Sequence, residues 1–363
     1  MSWDTDILIA GGGLNGPALA LALAQGGLRV TVVDARPARA RAEAGFDGRA
    51  YALAIASVRL LTAIGVWPKV ADQAQPMHQI KASDGRAGEG SAPFFLHFDA
   101  AEIEEGPMGH MLEDRHLYAA FLDAMAAAPG ITLLSGETVQ AQEVDPSGVT
   151  VTLASGRRLT AGLLVGCDGR GSGVAARAGI RRIGWGYGQT ALVTAIRHEK
   201  DHEGIAHQFF MPSGPLAILP LKGGHHSSIV WSETEATAAA IQAVPDAEYL
   251  EALRPRFGDF LGGISLAGDR FTYPLSLSLA ERFIAARVAL EEYQRWRRFD
   301  STALALGMDT VNRLFSSDNP LLRLGRDLGM GMVNALPGLR RGFMRQAAGL
   351  TGELPKLLTG RPV

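Results

Sequence analysis

The chain has 363 residues, enough for two domains of ordinary size or one large α/β domain. Apolar residues make up 47% and charged residues 20%, which excludes disorder or coiled coil as a description of the whole chain. A net charge of -2 supplies no field for nucleic acid, and the single cysteine, Cys167, excludes a disulfide framework and a multi-cysteine metal site.

Asp6 to Ala10 reads as a short buried strand, followed at once by Gly11-Gly12-Gly13-Leu14-Asn15-Gly16, which fits G-x-G-x-x-G. Pro17 sits where a first helical turn tolerates proline, Ala18 to Gln25 is an Ala/Leu helix, and Gly26-Gly27 ends it. Leu28 to Val33 is a second strand ending at Asp34, eighteen residues after Gly16, where a carboxylate can accept hydrogen bonds from a ribose. Strand, glycine turn, helix, strand and terminal acid in this order predict a dinucleotide site, with the pyrophosphate at the helix N-terminus. The motif alone does not separate FAD from NAD. Ile7 to Leu28 is uncharged, but it follows Asp4 and Asp6 and is broken by glycines and Pro17, so neither a signal peptide nor a membrane span is expected. The protein is expected to be cytoplasmic, soluble or peripheral.

Phe46 to Ala54 precedes a helix predicted over Ser57–Ile64. Gly109 to Leu117 opens another, with Leu117, Phe121 and Leu122. Val139–Val144, Val149–Leu153 and Arg157–Leu159 look like a strand meander leading into Leu163-Leu-Val-Gly-Cys-Asp168-Gly169-Arg-Gly-Ser172. This succession resembles the FAD-dependent group A aromatic-ring monooxygenases. Within them it is most similar to the ubiquinone-biosynthesis hydroxylase family. Carrying features are Asp47-Gly-Arg49-Ala-Tyr-Ala-Leu, Gly109 to Leu117, Asp168-Gly169, Gly214-Pro215 to Leu221, Phe271 to Leu275 and Tyr293 to Asp300, and they run from Asp4 to about Gly349.

The resemblance implies an α/β fold: a Rossmann-type FAD-binding domain (1–80 and 105–185, with 270–290 returning to it), an interleaved mixed β-sheet substrate domain (81–104 and 186–269) and C-terminal helices (291–363). It implies FAD held by Gly11, Gly13, Leu14 and Gly16 at the pyrophosphate and Asp34 at the adenosine ribose. Arg49 and Arg115 match positions near the pyrophosphate and ribityl chain, Val139 a backbone contact to adenine, and Asp168 and Gly169 the segment serving flavin and transient NAD(P)H. Read without the resemblance, both arginines are equally well surface ion pairs. No catalytic side chain or metal is assigned, because the cofactor carries the chemistry.

Strands are predicted over Gln189–Arg197, Ala206–Met211, Leu216–Leu221 and Ser227–Trp231, with Lys222 to His225 a hairpin turn. Such a sheet resembles the family's substrate floor, with Gly214-Pro215 and Tyr273-Pro274 approaching the flavin ring. His198-Glu-Lys-Asp-His202 is a literal H-E-x-x-H, but it follows a strand pattern and Gly204 comes soon after, so an exposed turn is expected rather than a zinc helix. His207, His225 and His226 are expected at the surface, and Cys167 as a small buried strand residue.

The family carries a third fingerprint, a strand followed by Gly-Asp-Ala-Ala-His and a Gly-rich turn opening a long helix. Here Arg287-Val-Ala-Leu290 is followed directly by Glu291-Glu-Tyr-Gln-Arg-Trp296. An internal deletion after Leu290 is expected to weaken FAD binding at the flavin end and impair hydroxylation. Tyr293 to Asn312 reads as a helix. From Arg313 to Val363 eight basic residues face three acids, a segment of about +5 rich in Leu, Met and Phe. That pattern fits peripheral contact with an anionic membrane, or a helical face packed on the body.

The expected activity is hydroxylation of a phenolic ring of a polyprenylated ubiquinone precursor with NAD(P)H and O2, on the inner membrane face and in a quinone-biosynthesis complex. Three alternatives stay open: an inactive or remodelled member acting as a binding partner, a hydroxylase of a soluble aromatic compound, and an NAD-dependent dehydrogenase.

Overall fold

The computed structural model describes residues 3–38, 49–88, 90–283, 307, 309–316, 319–352 and 354–363. The chain opens with β1 (Thr5–Ala10), α1 (Asn15–Gln25), β2 (Val30–Asp34), β3 (Ala50–Ala54) and α2 (Ile55–Ala63). β4 (Gln75–Met77), β5 (Gln79–Arg86), β6 (Gly90–Asp99), β7 (Gly109–Glu113) and α3 (Asp114–Ala127) follow. Next come β8 (Ile131–Ser135), β9 (Val139–Asp145), β10 (Gly148–Leu153), β11 (Arg158–Gly166) and α4 (Gly173–Arg177). β12 (Arg182–His198), β13 (Ile205–Met211), β14 (Gly214–Leu221), β15 (His226–Thr234), α5 (Glu235–Ala243), α6 (Asp246–Phe257), β16 (Ile264–Leu266) and β17 (Phe271–Ala280) build the second half. Helices α7 (Pro320–Ala335) and α8 (Pro337–Ala347) end it.

The first sheet runs β8-β2-β1-β11-β10-β9. β8, β2, β1 and β11 are parallel, and β10 and β9 continue as the antiparallel meander. Leu8 and Ile9 are both fully buried because a parallel strand is covered on both faces. Ile9, Val30 and Val32 pack under α1 and α3 with Leu21, Leu117 and Phe121. Leu8 and Val33 pack instead on Val149, Val151 and Leu159 of the meander. β1 has β2 on one side and β11 on the other, and the chain reaches them by connections running in opposite directions. That is a topological switch point, where a crevice opens beyond the strand ends.

The second sheet has eight strands, ordered β16-β12-β15-β14-β13-β5-β6, with β17 also pairing β12. The predicted hairpin is there: β14 and β15 pair from Leu216↔Trp231 to Leu221↔His226. Alternation sends Leu192, Ile196, Met211, Leu216, Ile218 and Trp231 to one face, under Tyr249, Leu253 and Phe257 of α6. The other face holds Ala195, Ala206 and Leu221 against Met344 and Ala348. Residues 271–280 pair with β12 and so belong to this second sheet, whereas the expectation returned them to the first. The Leu290–Glu291 junction and most of the helix expected over Tyr293–Asn312 lie outside the described residues, and residues 309–315 are helical.

α7 is amphipathic in an inverted sense. Arg323, Arg326 and Asn334 face the sheet: both arginines reach the fully buried Asp84 of β5, and the Asn334 Oδ1 accepts from His97 N–H at 2.9 Å. Leu321, Leu324, Leu328 and Met332 face outward, each more than half exposed. Among the described residues no helix is long and apolar enough to cross a membrane.

Candidate functional site

Four strand ends converge on the crevice. The glycine turn leaves β1 after Ala10, Asp34 closes β2, Ser135 closes β8, and Cys167-Asp168-Gly169 leaves β11. Two backbone bonds tie the turn in place. Gly11 N–H donates to Val33 O at 2.7 Å and Cys167 N–H to Ala10 O at 2.7 Å.

The three motif glycines divide the work. A β-carbon on Gly11 would lie 2.2 Å from the Cys167 carbonyl oxygen, and Gly11 has φ +107°, so only glycine lets β1 pass this close to the end of β11. A β-carbon on Gly16 would lie 2.0 Å from the Gly11 oxygen, so this residue lets α1 sit down on the turn. Gly13 meets nothing within 4 Å; its bare backbone faces the crevice. Leu14, the N-cap of α1, packs half-buried on the core behind, and its carbonyl accepts from Ala18 N–H at 3.2 Å. α1 carries no acid in its first turn, so the positive end of its dipole is uncompensated.

Asp34 lies directly over the turn, where a β-carbon on Gly12 would come within 2.5 Å of its Oδ2. The Arg36 N–H donates to its Oδ1 at 3.2 Å, and the Tyr118 hydroxyl reaches Oδ2 at 3.5 Å. Glu137 N–H donates to the Asp34 carbonyl at 3.0 Å, which brings the entrance of β9, and Val139 with it, beside the end of β2. On the opposite side, Asp168 Oδ2 accepts from Val174 N–H at 3.1 Å and Ser172 Oγ from Ala175 N–H at 2.9 Å, both at the start of α4. Gly169 has φ +85° and open space where a side chain would be. Burial, and then the Asp168 charge, push the Cys167 thiol up to about 11, so it stays protonated at neutral pH and is no nucleophile.

Arg49 and Arg115 gather around a second centre, at the start of α3. The carboxylate of Asp114 is buried; it accepts from the Tyr51 hydroxyl at 2.8 Å and pairs with Arg49 at 3.5 Å. Arg115 Nε donates to Glu113 Oε2 at 2.7 Å. Tyr118 lies one helical turn beyond Asp114 and so connects this centre to Asp34. Tyr51 and Asp114 lie inside the two segments that carry the resemblance, and Tyr118 lies just beyond the second, but the resemblance assigns none of the three a role.

Two expectations for the histidines need correction. His198 closes β12 and His202 lies in the connection to β13, not on a zinc helix, but both rings are buried while Glu199 and Asp201 are exposed. His198 bonds the Lys200 carbonyl at 2.7 Å and Ser227 Oγ at 3.0 Å; His202 bonds the Leu221 carbonyl at 2.7 Å and accepts from Gly204 N–H at 3.0 Å. Polar ring atoms leave solvent here because backbone groups satisfy them. His207 is also packed inward, 4.6 Å from the Phe260 ring, and burial pushes it down to about 4. No metal-binding cluster exists among the described residues.

A β-carbon on Gly214 would meet Ser232 at 2.8 Å and Gln189 at 3.0 Å, and Tyr273 and Pro274 lie opposite Ala191 and Thr190. The two segments that the resemblance brings to the flavin ring therefore meet at one stretch of β12.

The family described as FAD binding domain matches residues 4–263. Over 99% of its length the chain is 37% identical to ubiquinone hydroxylase UbiL of Rhodospirillum rubrum, of which the match covers 93%. It is 30% identical to 3-demethoxyubiquinol 3-hydroxylase of Escherichia coli K12, over 95% of this chain and 99% of that protein. Among solved structures, p-nitrophenol 4-monooxygenase PnpA from Pseudomonas putida DLL-E4 superimposes with a TM-score of 0.75 over 98% of this chain and 100% of that one. At 16% identity that is a likeness of fold. The choice between FAD and NAD that the glycine motif left open is thereby settled: the chain belongs to the FAD-binding family of these hydroxylases and is a flavin-dependent monooxygenase.

Proposed function

We propose that this protein hydroxylates a phenolic ring of a polyprenylated ubiquinone precursor, with NAD(P)H as reductant and O2 as oxidant. The activities for which the Rhodospirillum and Escherichia relatives are named support the substrate class. The observation that carries the reading is the crevice at the switch point, where bare Gly13, the α1 N-terminus and Asp34 fit the pyrophosphate and ribose of FAD. In this reading Gly11 and Gly16 shape the turn, Leu14 anchors it, and Asp168 and Gly169 flank the flavin half. Arg49 and Arg115 serve the pyrophosphate and ribityl chain, and the Val139 backbone the adenine. Bound there, FAD supplies electron transfer from NAD(P)H and activation of O2. The chain's own residues bind, orient and exclude water; Asp114 and Tyr51 hold Arg49 in place, and β12 around Gln189–Ala191 forms the floor beneath the ring.

The chain lacks an internal piece in this reading. The alignment with UbiL of R. rubrum runs over 407 residues, 44 more than the 363 here, which leaves room for a segment after Leu290. Weak FAD retention and poor turnover follow, and a remodelled member acting as a binding partner in a quinone-biosynthesis complex is the second reading this gap favours. Purification with flavin absorbance, followed by mass spectrometry of a prenylated phenol incubated with NADH or NADPH, tests both. An oxygen-added product supports the hydroxylase. Stoichiometric flavin with full coupling would defeat the impaired reading, and protein without flavin or product favours the binding partner.

Peripheral membrane contact is proposed through α7 and α8. Five of the eight C-terminal basic residues pair within the protein, Arg313 with Asp309, Arg323 and Arg326 with Asp84, Arg340 with Glu102 and Arg345 with Glu105. The outward leucines, not net charge, therefore supply the attraction.

A further inference from the structure

Along α7 lies an open apolar cavity of about 640 Å³, lined by residues distinct from those of the switch-point crevice. Leu96 and Phe98 of β6, Phe315, and Leu322, Met330 and Val333 of α7 wall it. Gly325 and Gly329 lie on the same flank of α7, and a β-carbon on either would meet nothing within 4 Å. Among the described residues the one charged residue on the wall is Arg326, and it is committed: its guanidinium holds both oxygens of buried Asp84 at 2.7 Å and the Leu314 carbonyl at 3.0 Å. Its size is in the range that buries a small ligand, roughly 300–1,000 Å³.

The two ends of the cavity differ. Leu321, Leu322 and Phe343 form the outer end, continuous with exposed Leu324 and Leu328. At the inner end Phe315 packs against Phe210, ring centroids 4.1 Å apart and tilted by 37°. Phe210 alternates along β13 with Phe209 and Met211, which pack on the α6 side, so Phe210 points to the opposite face of the sheet. Gln189, bonded to Asn312 and Ser316, joins residues 309–316 to β12, the strand proposed as the floor.

We propose that this cavity holds the isoprenoid tail of the substrate, threaded from the outer leucines to Phe210, so that the phenolic head emerges over the sheet. This rests on the proposed function and deepens it. A peptide in the same place would bury N–H and C=O groups with nothing to pair them, whereas a hydrocarbon tail has none. The bare glycine flank leaves room for a flexible, branched chain.

Gly329→Leu and Gly325→Leu in the full-length protein test it. Both fill the cavity from a helix position where leucine is the better helix former, so the melting temperature is expected to hold or rise. Binding of a short-tailed and a long-tailed prenylphenol is measured without turnover, by calorimetry in detergent. The wild-type protein is expected to favour the long tail about tenfold or more, and each leucine to erase that preference while leaving the short-tailed compound unchanged. Retention of the preference in both variants would overturn the proposal. So would a fatty acid of matched length that binds as tightly as the long tail and is expelled by the same leucines, which would reassign the cavity to acyl chains. Because no turnover is read, a protein that hydroxylated nothing would fail the functional reading and leave this result standing.

Discussion

At Gly13 and Gly16 the same added atom does opposite things. On Gly13 a side chain enters open space in the crevice, so Gly13→Leu is expected to cost no more than about 0.5 kcal/mol of stability while abolishing retained flavin. On Gly16 it strikes a backbone oxygen that cannot rotate away, so Gly16→Ala is expected to cost about 1–3 kcal/mol. Flavin absorbance and chemical denaturation, read together, separate the two; equal stability losses would mean the turn is not seated as described. His207 supplies a pH dependence. Its folded pKa is lowered to about 4 by burial, below the ordinary 6.5, so the unfolded chain binds the proton more readily. Stability from this group is present above 6.5 and is lost as pH falls toward 4, at about 1.4 kcal/mol per pH unit. His207→Phe keeps the ring packing against Phe260 and is expected to flatten the stability profile across that window. An unchanged slope would show that the proton goes elsewhere.

At the scale of elements, α7 is tied to β5 by a buried charge cluster. Its contact with β5 is ionic, with Arg326 and Asp84 almost wholly buried, and α7 sends its leucines outward. Arg326→Leu removes the better-buried partner and leaves Asp84 with Arg323 alone; it is expected to cost about 3 kcal/mol, the low end for a broken buried pair, read by denaturation, and to loosen α7 first, read by hydrogen exchange. The double variant Asp84→Leu/Arg326→Leu is expected to recover part of that loss, because the fully buried carboxylate is gone and Arg323, 25% exposed, can turn to water. The sequence showed a basic segment rich in Leu, Met and Phe, yet nothing in it says that Arg323 and Arg326 turn inward. β1, α1 and β2 are the contrary case. Their apolar runs, glycine turn and terminal Asp34 are local properties, so the first nucleotide-binding unit was legible residue by residue.

For the molecule as a whole, the paired arginines change what membrane contact should look like. Flotation with liposomes is expected to survive high salt and to occur on neutral lipid, because the exposed Leu321, Leu324 and Leu328 are apolar and most basic partners are occupied within the protein. Leu324→Glu with Leu328→Glu is expected to abolish it; loss of wild-type binding at high salt would restore the electrostatic reading. The gap after Leu290 also belongs to this scale. Genomic DNA coding for a Gly-Asp-Ala-Ala-His segment across that junction is the expected finding if a conventional enzyme has lost a piece, and insertion of that segment is expected to raise retained flavin toward one per chain.

The sequence by itself determined the dinucleotide turn, the strand meander before Asp168, the hairpin at Lys222–His225 and the resemblance to the family, because each is carried by neighbours in the chain: a turn, a period, a strand end. Only the tertiary structure decided which glycine is bare and which are wedged, why Asp114 and Tyr118 belong beside Arg49 and Asp34, and that His198, His202 and Arg326 are buried. Those outcomes depend on partners up to 242 positions away, as with Arg326 and Asp84. A side chain's desolvation is settled by what folds over it, and local pattern carries no record of that.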